Sequence, residues 1–220
     1  MTFTLINARP SPFGRKVAIA LIEKGLDYTV QYDVPWGAGT CTPAHSPLEQ
    51  LPILIAGNGE TVFDSVYILE WLEGRYPTPP LLPTGIDARL DAKKRQMLGE
   101  RLMEVAQSLA FEKHRPDPSG PWIERQLRKI GGAFAELERM YAARALTAQT
   151  PLDIGDIAVG TTLALFNFGL ATGLIPETDE LRWRGRYPAL TAATEILERR
   201  PSFARTGPEM MDVDLQATVA

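Results

Sequence analysis

The 220-residue chain is predicted to fold as a small mixed α/β domain followed by an all-helical domain. Strand-like and helix-like segments alternate through the first 76 residues, whereas only helical patterns follow a proline-rich run at 77–83. Such a run is typical of a stiff linker. We therefore assign residues 1–77 to a first domain, 78–86 to the linker, 87–210 to a helical domain and 211–220 to a tail.

Composition argues against several classes of function. A net charge of −4 gives nucleic acid and anionic membranes little attraction. One cysteine, Cys41, rules out an internal disulfide, and His45 and His114 stand apart from any cysteine, so no metal site is expected. We see no apolar run near the ~20 residues that span a bilayer and no secretory leader, so a cytoplasmic location is expected.

The first part of the N-terminal domain predicts a β-α-β unit. Residues 2–7 alternate like a strand, and residues 28–33 do so again. Between them, residues 12–24 place apolar side chains at helical spacing, and Gly25 is a typical helix end. A unit of this kind strongly favours a right-handed crossover and two parallel strands.

The second part predicts two strands and a helix. Residues 52–56 and 61–64 are strand-like, and the Asn58-Gly59 pair between them favours a hairpin because it accepts positive φ. Residues 65–75 then carry apolar side chains at helical spacing. The N-terminal domain is therefore predicted as βαβ followed by ββα.

The second domain is predicted to be helical throughout. Its elements are four helices at 87–114, 122–145, 154–171 and 188–199, and a short turn after Pro201. The helix at 154–171 is apolar nearly all round, which is typical of a buried central helix. It begins at Asp153-Ile-Gly-Asp156, a variant of the capping box with carboxylates near the positive helix end.

Ser11 stands where the first strand passes into the first helix. Its side chain can cap free backbone N–H groups, and Pro12 suits the first turn because no N–H is needed there. The positive end of the helix dipole also stabilises an anion at this point. From this stretch alone, Ser11 is either an ordinary cap or a hydroxyl that faces an anionic ligand.

Five separated segments, in order along nearly the whole chain, resemble those of the cytosolic glutathione transferase superfamily. They are the Ser-Pro-Phe-Gly-Arg-Lys-Val run at 11–17, which resembles the active-site serine motif of bacterial members, the Ser-Pro-Leu-Glu-Gln-Leu-Pro-Ile-Leu run at 46–54, Phe-Asp-Ser at 63–65, the capped start at 153–156, and the Tyr-Pro and Arg-Pro-Ser-Phe runs at 187 and 200. Ser46, Glu49 and Asp153 depart from the Asn, Gly and hydroxyl residue usual in the family.

The resemblance implies a thioredoxin-like N-terminal domain and an all-α C-terminal domain, the glutathione transferase fold. It implies an enzyme that holds the thiol of glutathione as a thiolate, for addition to a small hydrophobic electrophile or for reduction of a hydroperoxide. Glutathione is then a co-substrate, and no metal is needed. A homodimer is implied as well, in which the first helices of the α domain meet the partner's N-terminal domain.

The resemblance also assigns the glutathione-binding residues. Pro52 by itself favours a simple strand-start proline, but the resemblance implies a cis Leu51–Pro52 peptide that turns the Leu51 backbone toward an added peptide strand. Asp64 can meet the ammonium of the γ-glutamyl group, and Ser65 its carboxylate. An Asp-Ser pair before a helix is also an ordinary cap, and both roles can hold at once.

Ser11 then has a partner for its hydroxyl. A thiol with a pKa of about 8.5 is mostly protonated at neutral pH, and lowering that pKa by one unit takes about 1.4 kcal/mol, which one charge-assisted hydrogen bond supplies. Ser11 is therefore expected to donate to the thiolate and to act neither as base nor as nucleophile. Phe13 is expected beside the sulfur or the electrophile, and Gln50 and Trp36 near the glycine end of the tripeptide.

The electrophile side is predicted less directly. Met103, Gln107 and Phe111 recur at helical spacing, a stripe that forms either a pocket wall or, more often, core. Arg115, just beyond them, is a candidate to favour an anionic co-substrate. Arg15, one turn into the first helix, faces either the site or solvent, and solvent is favoured.

Two other functions are weighed against the enzyme. The same fold can serve as a non-catalytic glutathione-binding or protein-interaction module. A disulfide reductase is disfavoured, because the thiol-reducing branches of the family carry a cysteine where this chain has Ser11. Cys41 lies in a predicted loop and is expected to be a spectator.

Overall fold

The first third of the chain, which we call the N-terminal half of the molecule, is built on a four-stranded sheet; the helices after the linker form its second half. We describe the whole protein from a computed structural model, for residues 2–213, 215 and 218 of the chain. The sheet has the order β2-β1-β3-β4, with β1 and β2 parallel and the other two neighbouring pairs antiparallel. This confirms the predicted βαβ–ββα arrangement. The elements are β1 (Phe3–Asn7), α1 (Pro12–Glu23), β2 (Tyr28–Tyr32), β3 (Ile53–Ile55), β4 (Thr61–Val62) and α2 (Ser65–Arg75).

The second half is helical, as predicted. Gly99 and Gly155 let α3 and α5 lie against each other, because a Cβ at Gly155 would stand 2.5 Å from the carbonyl oxygen of Ala92. α2 and α5 have the predicted bounds, and the other predicted helices are present with ends shifted by one or two residues. The helices are α3 (Ile86–Lys113), α4 (Gly120–Ala143), α5 (Ile154–Ala171), α6 (Pro188–Glu198) and α7 (Pro201–Ala204).

Helix α5 is the central helix of this half. It is long and apolar enough to cross a membrane by length and composition, but 67% of it is buried inside the fold. Asp153 caps its start by accepting a hydrogen bond from the backbone N–H of Asp156 at 3.0 Å. The prediction of a buried, capped helix is confirmed.

Two hydrophobic cores hold the molecule together. The first fills the space under the sheet, but it also takes in side chains of the helical half, among them Ile154 and Ile157 of α5 and Phe203 of α7. The second lies within the helical half, where Phe134 and Phe166 meet edge to face with ring centroids 5.2 Å apart. The two halves of the chain therefore share one of their cores.

The proline-rich linker is tied to the N-terminal half. The Lys24 ammonium donates to the carbonyl oxygens of Tyr76 at 2.7 Å and Pro79 at 2.9 Å. Glu73 pairs with the same ammonium and accepts a hydrogen bond from the backbone N–H of Leu81. These contacts fix the path along which the chain passes into α3.

Candidate functional site

A cavity of about 600 Å³ lies between the two halves of the molecule. Its first wall comes from the starts of α1 and α2 and the loops beside them: Ala8, Pro10, Ser11, Pro12, Phe13, Val34, Pro35, Trp36, Glu49, Gln50, Leu51, Asp64 and Ser65. Its second wall comes from α3, α5 and the segments after α5 and α7: Glu104, Ala106, Gln107, Ala110, Phe111, Leu165, Gly169, Leu174, Ile175, Met210, Met211, Val213 and Leu215.

Ser11 is the N-cap of α1, and its half-buried side chain lies on the cavity wall. Its Oγ accepts a hydrogen bond from the backbone N–H of Gly14 at 3.3 Å. A hydroxyl has two lone pairs and one hydrogen. Because the cap uses a lone pair, the O–H is left to donate to an acceptor in the cavity. The cap interpretation is confirmed, and it is compatible with a donor role.

Gly14 allows the end of β1 to approach α1 closely. A Cβ at Gly14 would lie 1.7 Å from Oδ1 of Asn7, the buried last residue of β1. A residue with a side chain here would push α1 away from β1 and displace Ser11, three residues earlier. Sequence reasoning did not assign a role to Gly14.

Asp64 and Ser65 begin α2 on the same cavity. Oδ1 of Asp64 accepts hydrogen bonds from the backbone N–H groups of Val66 at 3.0 Å and Tyr67 at 3.2 Å. Within the described part of the chain, no residue donates to Oδ2, and the Asp64 side chain is exposed. The pair thus offers an acceptor for a cation beside a helix N-terminus that attracts an anion.

The loop before β3 brings a short stretch of backbone to the cavity. The Leu51–Pro52 peptide is cis, as the resemblance implies, and Gln50 and Leu51 lie on the wall. Pro52 itself is buried and directly precedes β3, whose pairing with β1 begins at Ile53. Leu51 therefore lies outside the sheet ladder, where an extended peptide can pair with its backbone.

The residues predicted for the electrophile side fall into two groups. Gln107 and Phe111 line the cavity, and the Phe111 ring meets Trp36 edge to face with centroids 5.7 Å apart. Met103 does not line the cavity, because it is fully buried in the core. Each four-residue step turns a helix by about 40°, so residues spaced by four drift off a common face.

Arg115 also lies off the wall of the cavity. Helix α3 ends at Lys113, and the chain then turns so that the Arg115 side chain is 57% exposed, with the Glu112 carboxylate 4.0 Å away. The predicted role of Arg115 toward an anionic co-substrate is therefore corrected. The charged residues that the structure places on the wall are acidic: Glu49, Asp64 and Glu104.

Two basic residues of α1 that look solvent-facing are buried against the helical half. Arg15 donates to the carbonyl oxygen of Phe203 at 3.1 Å and lies over its ring, and burial lowers the pKa of Arg15 to about 10. Lys16 is fully buried and pairs with Glu100 of α3; burial lowers its pKa, against the opposing charge of Glu100. The prediction of a solvent-facing Arg15 is wrong. Both cations attach α1 to the second half.

Cys41 does not line the cavity. Its thiol donates to Oδ2 of Asp33 at 3.1 Å, and burial together with that carboxylate raises the pKa of the Cys41 thiol. A raised pKa keeps the sulfur protonated and poorly nucleophilic. The geometry agrees with a spectator cysteine.

The segment after α7 reaches the cavity, which sequence reasoning missed. Met210, Met211, Val213 and Leu215 lie on the wall, although the prediction placed residues 211–220 in a tail. Of that tail, residues 214, 216, 217, 219 and 220 lie outside the described part of the chain. The segment carries no periodic pattern, so the sequence held no signal that could place it.

Two protein-family models match the chain. The model for the glutathione S-transferase N-terminal domain matches residues 5–80, and the model for the glutathione S-transferase C-terminal domain matches residues 120–194. Together they cover both sides of the linker, and the first model covers every residue that the structure places on the first wall of the cavity.

Known proteins match along nearly the full length. The chain is 30% identical over 207 residues to the uncharacterized GST-like protein YibF of Escherichia coli, covering 93% of this chain and 98% of that one. A Methylobacterium radiotolerans glutathione S-transferase, solved in complex with glutathione sulfonate, superposes with a TM-score of 0.87 at 40% identity and covers 97% and 98% of the two chains. A Methylobacillus flagellatus glutathione S-transferase, solved with glutathione bound, has a TM-score of 0.83 at 26% identity, covering 94% and 100%.

Proposed function

Because the chain belongs to the glutathione S-transferase family, we propose that it binds glutathione and holds the thiol as a thiolate for reaction with an electrophile. The observation that carries the proposal is the start of α1. Ser11 uses a lone pair for the helix cap and keeps its O–H for an acceptor, on the same cavity as the start of α2. The relatives solved with glutathione or its sulfonate bound support the same ligand.

The proposed placement of glutathione follows from the groups that its parts require. The γ-glutamyl ammonium lies against Asp64, and its carboxylate against Ser65 at the α2 N-terminus. The cysteinyl backbone pairs with Leu51 as an added strand. Gln50 and Trp36 face the glycine end, and the thiol then points toward Ser11 and Phe13 at the start of α1.

Ser11 is proposed as the donor that stabilises the thiolate. A hydrogen bond to a charged group contributes about 1.5–3 kcal/mol, which lowers a thiol pKa by about one to two units. The positive end of α1 acts in the same direction. The thiolate carries the reaction in one of two ways. It adds to an electrophilic carbon, which releases a leaving group or passes its electron pair to a neighbouring atom, or it attacks an oxygen of a hydroperoxide, which breaks the O–O bond, releases the alcohol and oxidises glutathione to its sulfenic acid. Ser11 itself forms no covalent bond.

The electrophile is proposed to be small, apolar and uncharged. The second wall offers the Phe111 ring, aliphatic side chains and two methionines. The charged side chains that the structure places on the cavity are acidic, so an anionic electrophile gains nothing there except near the two helix starts. We expect a neutral aryl halide or enal to react faster than its carboxylate analogue.

The experiment that tests the proposal is Ser11→Ala. We expect glutathione affinity within a few-fold of the parent by calorimetry, and a loss of about 10- to 100-fold in kcat, because one hydrogen bond to the thiolate is removed. The pKa of the bound thiol, followed by ultraviolet absorbance, is expected to rise by about one to two units. Ser119→Ala is the matched control, a serine at the exposed start of α4 whose side chain makes no cap bond.

The outcomes separate the functions that the sequence leaves open. Unchanged turnover in Ser11→Ala removes Ser11 from the mechanism. If the parent binds glutathione but shows no turnover of aryl halides, epoxides, enals or hydroperoxides, the result favours the non-catalytic module. Activity in a mixed-disulfide assay favours the reductase. A cytoplasmic location stays a prediction.

We also propose the homodimer that the family resemblance implies. Exposed apolar side chains on α2 and α3 support it, including Tyr67 at 57%, Leu90 at 59% and Met97 at 47% exposure. Lys93 of α3 pairs with Glu70 of α2, so these helices present one continuous face. Sedimentation is expected to give twice the mass of one chain, and a mass near a single chain contradicts the dimer.

A further inference from the structure

The chain beyond α7 forms the outer wall of the electrophile side of the cavity. We call residues 209–213 with Leu215 the strap. Met210, Met211, Val213 and Leu215 line the cavity, on the same wall as Phe111 of α3. Methionine side chains are flexible and polarisable, and they make favourable contacts with aromatic rings. The strap thus adds to the cavity a surface suited to aromatic groups.

The strap is attached at its first residue. The carboxylate of Glu209 pairs with the guanidinium of Arg9, and the backbone N–H of Glu209 donates to the carbonyl oxygen of Arg9 at 3.4 Å. The Arg9 guanidinium lies over the ring of Tyr32, 4.1 Å from its centroid. Arg9 is therefore held by β2 on one side and holds the strap on the other.

The same attachment joins the strap to the loop that carries Ser11. Arg9 lies between β1 and α1, and the backbone N–H of Ser11 donates to the carbonyl oxygen of Ala8 at 3.0 Å. The residue that anchors the strap and the residue that caps α1 thus belong to one hydrogen-bonded turn. The outer wall is fixed relative to the point where the sulfur is proposed to lie.

We propose that the strap sets the affinity of this cavity for aromatic electrophiles, with Met210 and Met211 as contact residues and Arg9 and Glu209 as positioning residues. The inference rests on the proposed function, because it names the substrate class of that same site. The ion pair is exposed, 42% for Arg9 and 61% for Glu209. An exposed pair contributes at most about 1 kcal/mol, so its loss weakens aromatic binding by up to about fivefold.

The experiment uses a neutral aromatic probe that needs no glutathione. N-phenyl-1-naphthylamine is titrated by fluorescence into the parent, into Arg9→Gln and Glu209→Gln, and into the exchange variant Arg9→Glu with Glu209→Arg. We expect the probe Kd to rise by about three- to fivefold in each single variant and to return to within about twofold of the parent in the exchange variant. Glutathione Kd, from calorimetry, is expected to stay within about twofold in all of them.

Two control variants and a salt titration test whether the Arg9–Glu209 pair is the cause. Glu177→Gln breaks another exposed ion pair, with Arg182, whose residues do not line the cavity, and it is expected to leave the probe Kd unchanged. Phe111→Ala removes the α3 ring from the same cavity wall and is expected to weaken the probe. About 0.5 M salt screens the exposed pair and is expected to weaken the probe in the parent relative to Glu209→Gln.

The proposal fails if both single variants bind the probe as the parent does. It fails equally if the exchange variant stays as weak as the single variants, because pairing then does not place the strap. Failure of the proposed function has a different signature: the parent does not bind glutathione, while the probe titrations still report on the strap.

Discussion

Helices α2 and α5 begin with the same kind of cap, but the surroundings of the two caps differ. Each has an aspartate at its N-cap: Asp64 accepts hydrogen bonds from two backbone N–H groups of the first turn, and Asp153 accepts one, from Asp156. Asp64 is exposed and opens on the cavity, whereas Asp153 is 5% exposed. The local cap is therefore the same, and the surroundings differ.

The difference lies in what stands opposite each carboxylate. Arg95 of α3 donates to Asp153 at 2.7 Å and also pairs with Asp156, and Arg144 donates to both. The hydroxyl of Tyr141 donates to Asp156 at 3.0 Å. These partners occupy both oxygens of Asp153 and of Asp156, whereas within the described residues Oδ2 of Asp64 accepts no hydrogen bond. A capped helix start can take a ligand only where the rest of the fold leaves an oxygen of the capping carboxylate unpaired.

The buried cluster at α5 also affects proton binding. Burial lowers the pKa of Arg95, but the charges of Asp156 and Asp153 outweigh burial and hold that pKa above its ordinary value. Burial and the charge of Asp153 raise the pKa of Asp156, although Arg95 and Arg144 oppose the shift. The two arginines are thus what keeps two carboxylates close together in the interior.

The largest effect is expected from Arg95→Met. The substitution keeps most of the buried volume but leaves Asp153 and Asp156 without a main partner, so the free energy of unfolding is expected to fall by about 3–5 kcal/mol. Urea denaturation measures it. The exposed Arg139→Met on α4 is the control and is expected to leave the midpoint unchanged. Equal midpoints for the two variants contradict the structural role of the cluster.

A smaller loss of stability is expected from Asp153→Asn. The amide oxygen keeps the cap bond to the N–H of Asp156, but the charge that faces Arg95 and Arg144 is lost. We expect the free energy of unfolding to fall by about 2–3 kcal/mol, with glutathione affinity unchanged in the folded fraction. Asp27→Asn, at an exposed position between α1 and β2, is the control.

The smallest effect on stability is expected from Asp64→Asn, which should instead change glutathione binding. The cap bonds to Val66 and Tyr67 survive, so the urea midpoint is expected to match that of the parent. Removal of the negative charge is expected to weaken glutathione about tenfold by calorimetry, through loss of the charged partner for its ammonium. If Asp64→Asn destabilises the protein as Asp153→Asn does, the comparison between the two starts is wrong.

Features that depend on neighbouring residues could be predicted from the sequence. The starts of α2 and α5 could be predicted to the residue, because Asp64 and Asp153 are N-cap residues directly before an apolar helical pattern. Ser11 was predicted as the cap of α1 for the same reason, and the structure places Phe13 beside it on the wall. Such signals need only a few residues of context.

Features that depend on distant partners could not be predicted. Arg15 was expected to face solvent because arginine is rarely buried unless paired, and its partner Phe203 lies far along the chain. Lys16 received no prediction, and its partner Glu100 is equally distant in sequence. Periodicity indicates which residues of α3 share a side but not where along α3 the core gives way to the cavity. It therefore left Met103 open between pocket wall and core, and the structure places Met103 in the core. The strap has no pattern at all.

The core shared by the two halves limits how the chain can be divided into separate fragments. Two family models divide the sequence near the linker, yet Ile154, Ile157 and Phe203 complete the packing under the sheet of the other half. A cut in the linker would leave each piece with an unfinished interior. Exchange of halves between relatives must therefore carry these contacts across as a set. The two segments that the family models match are therefore expected to unfold together.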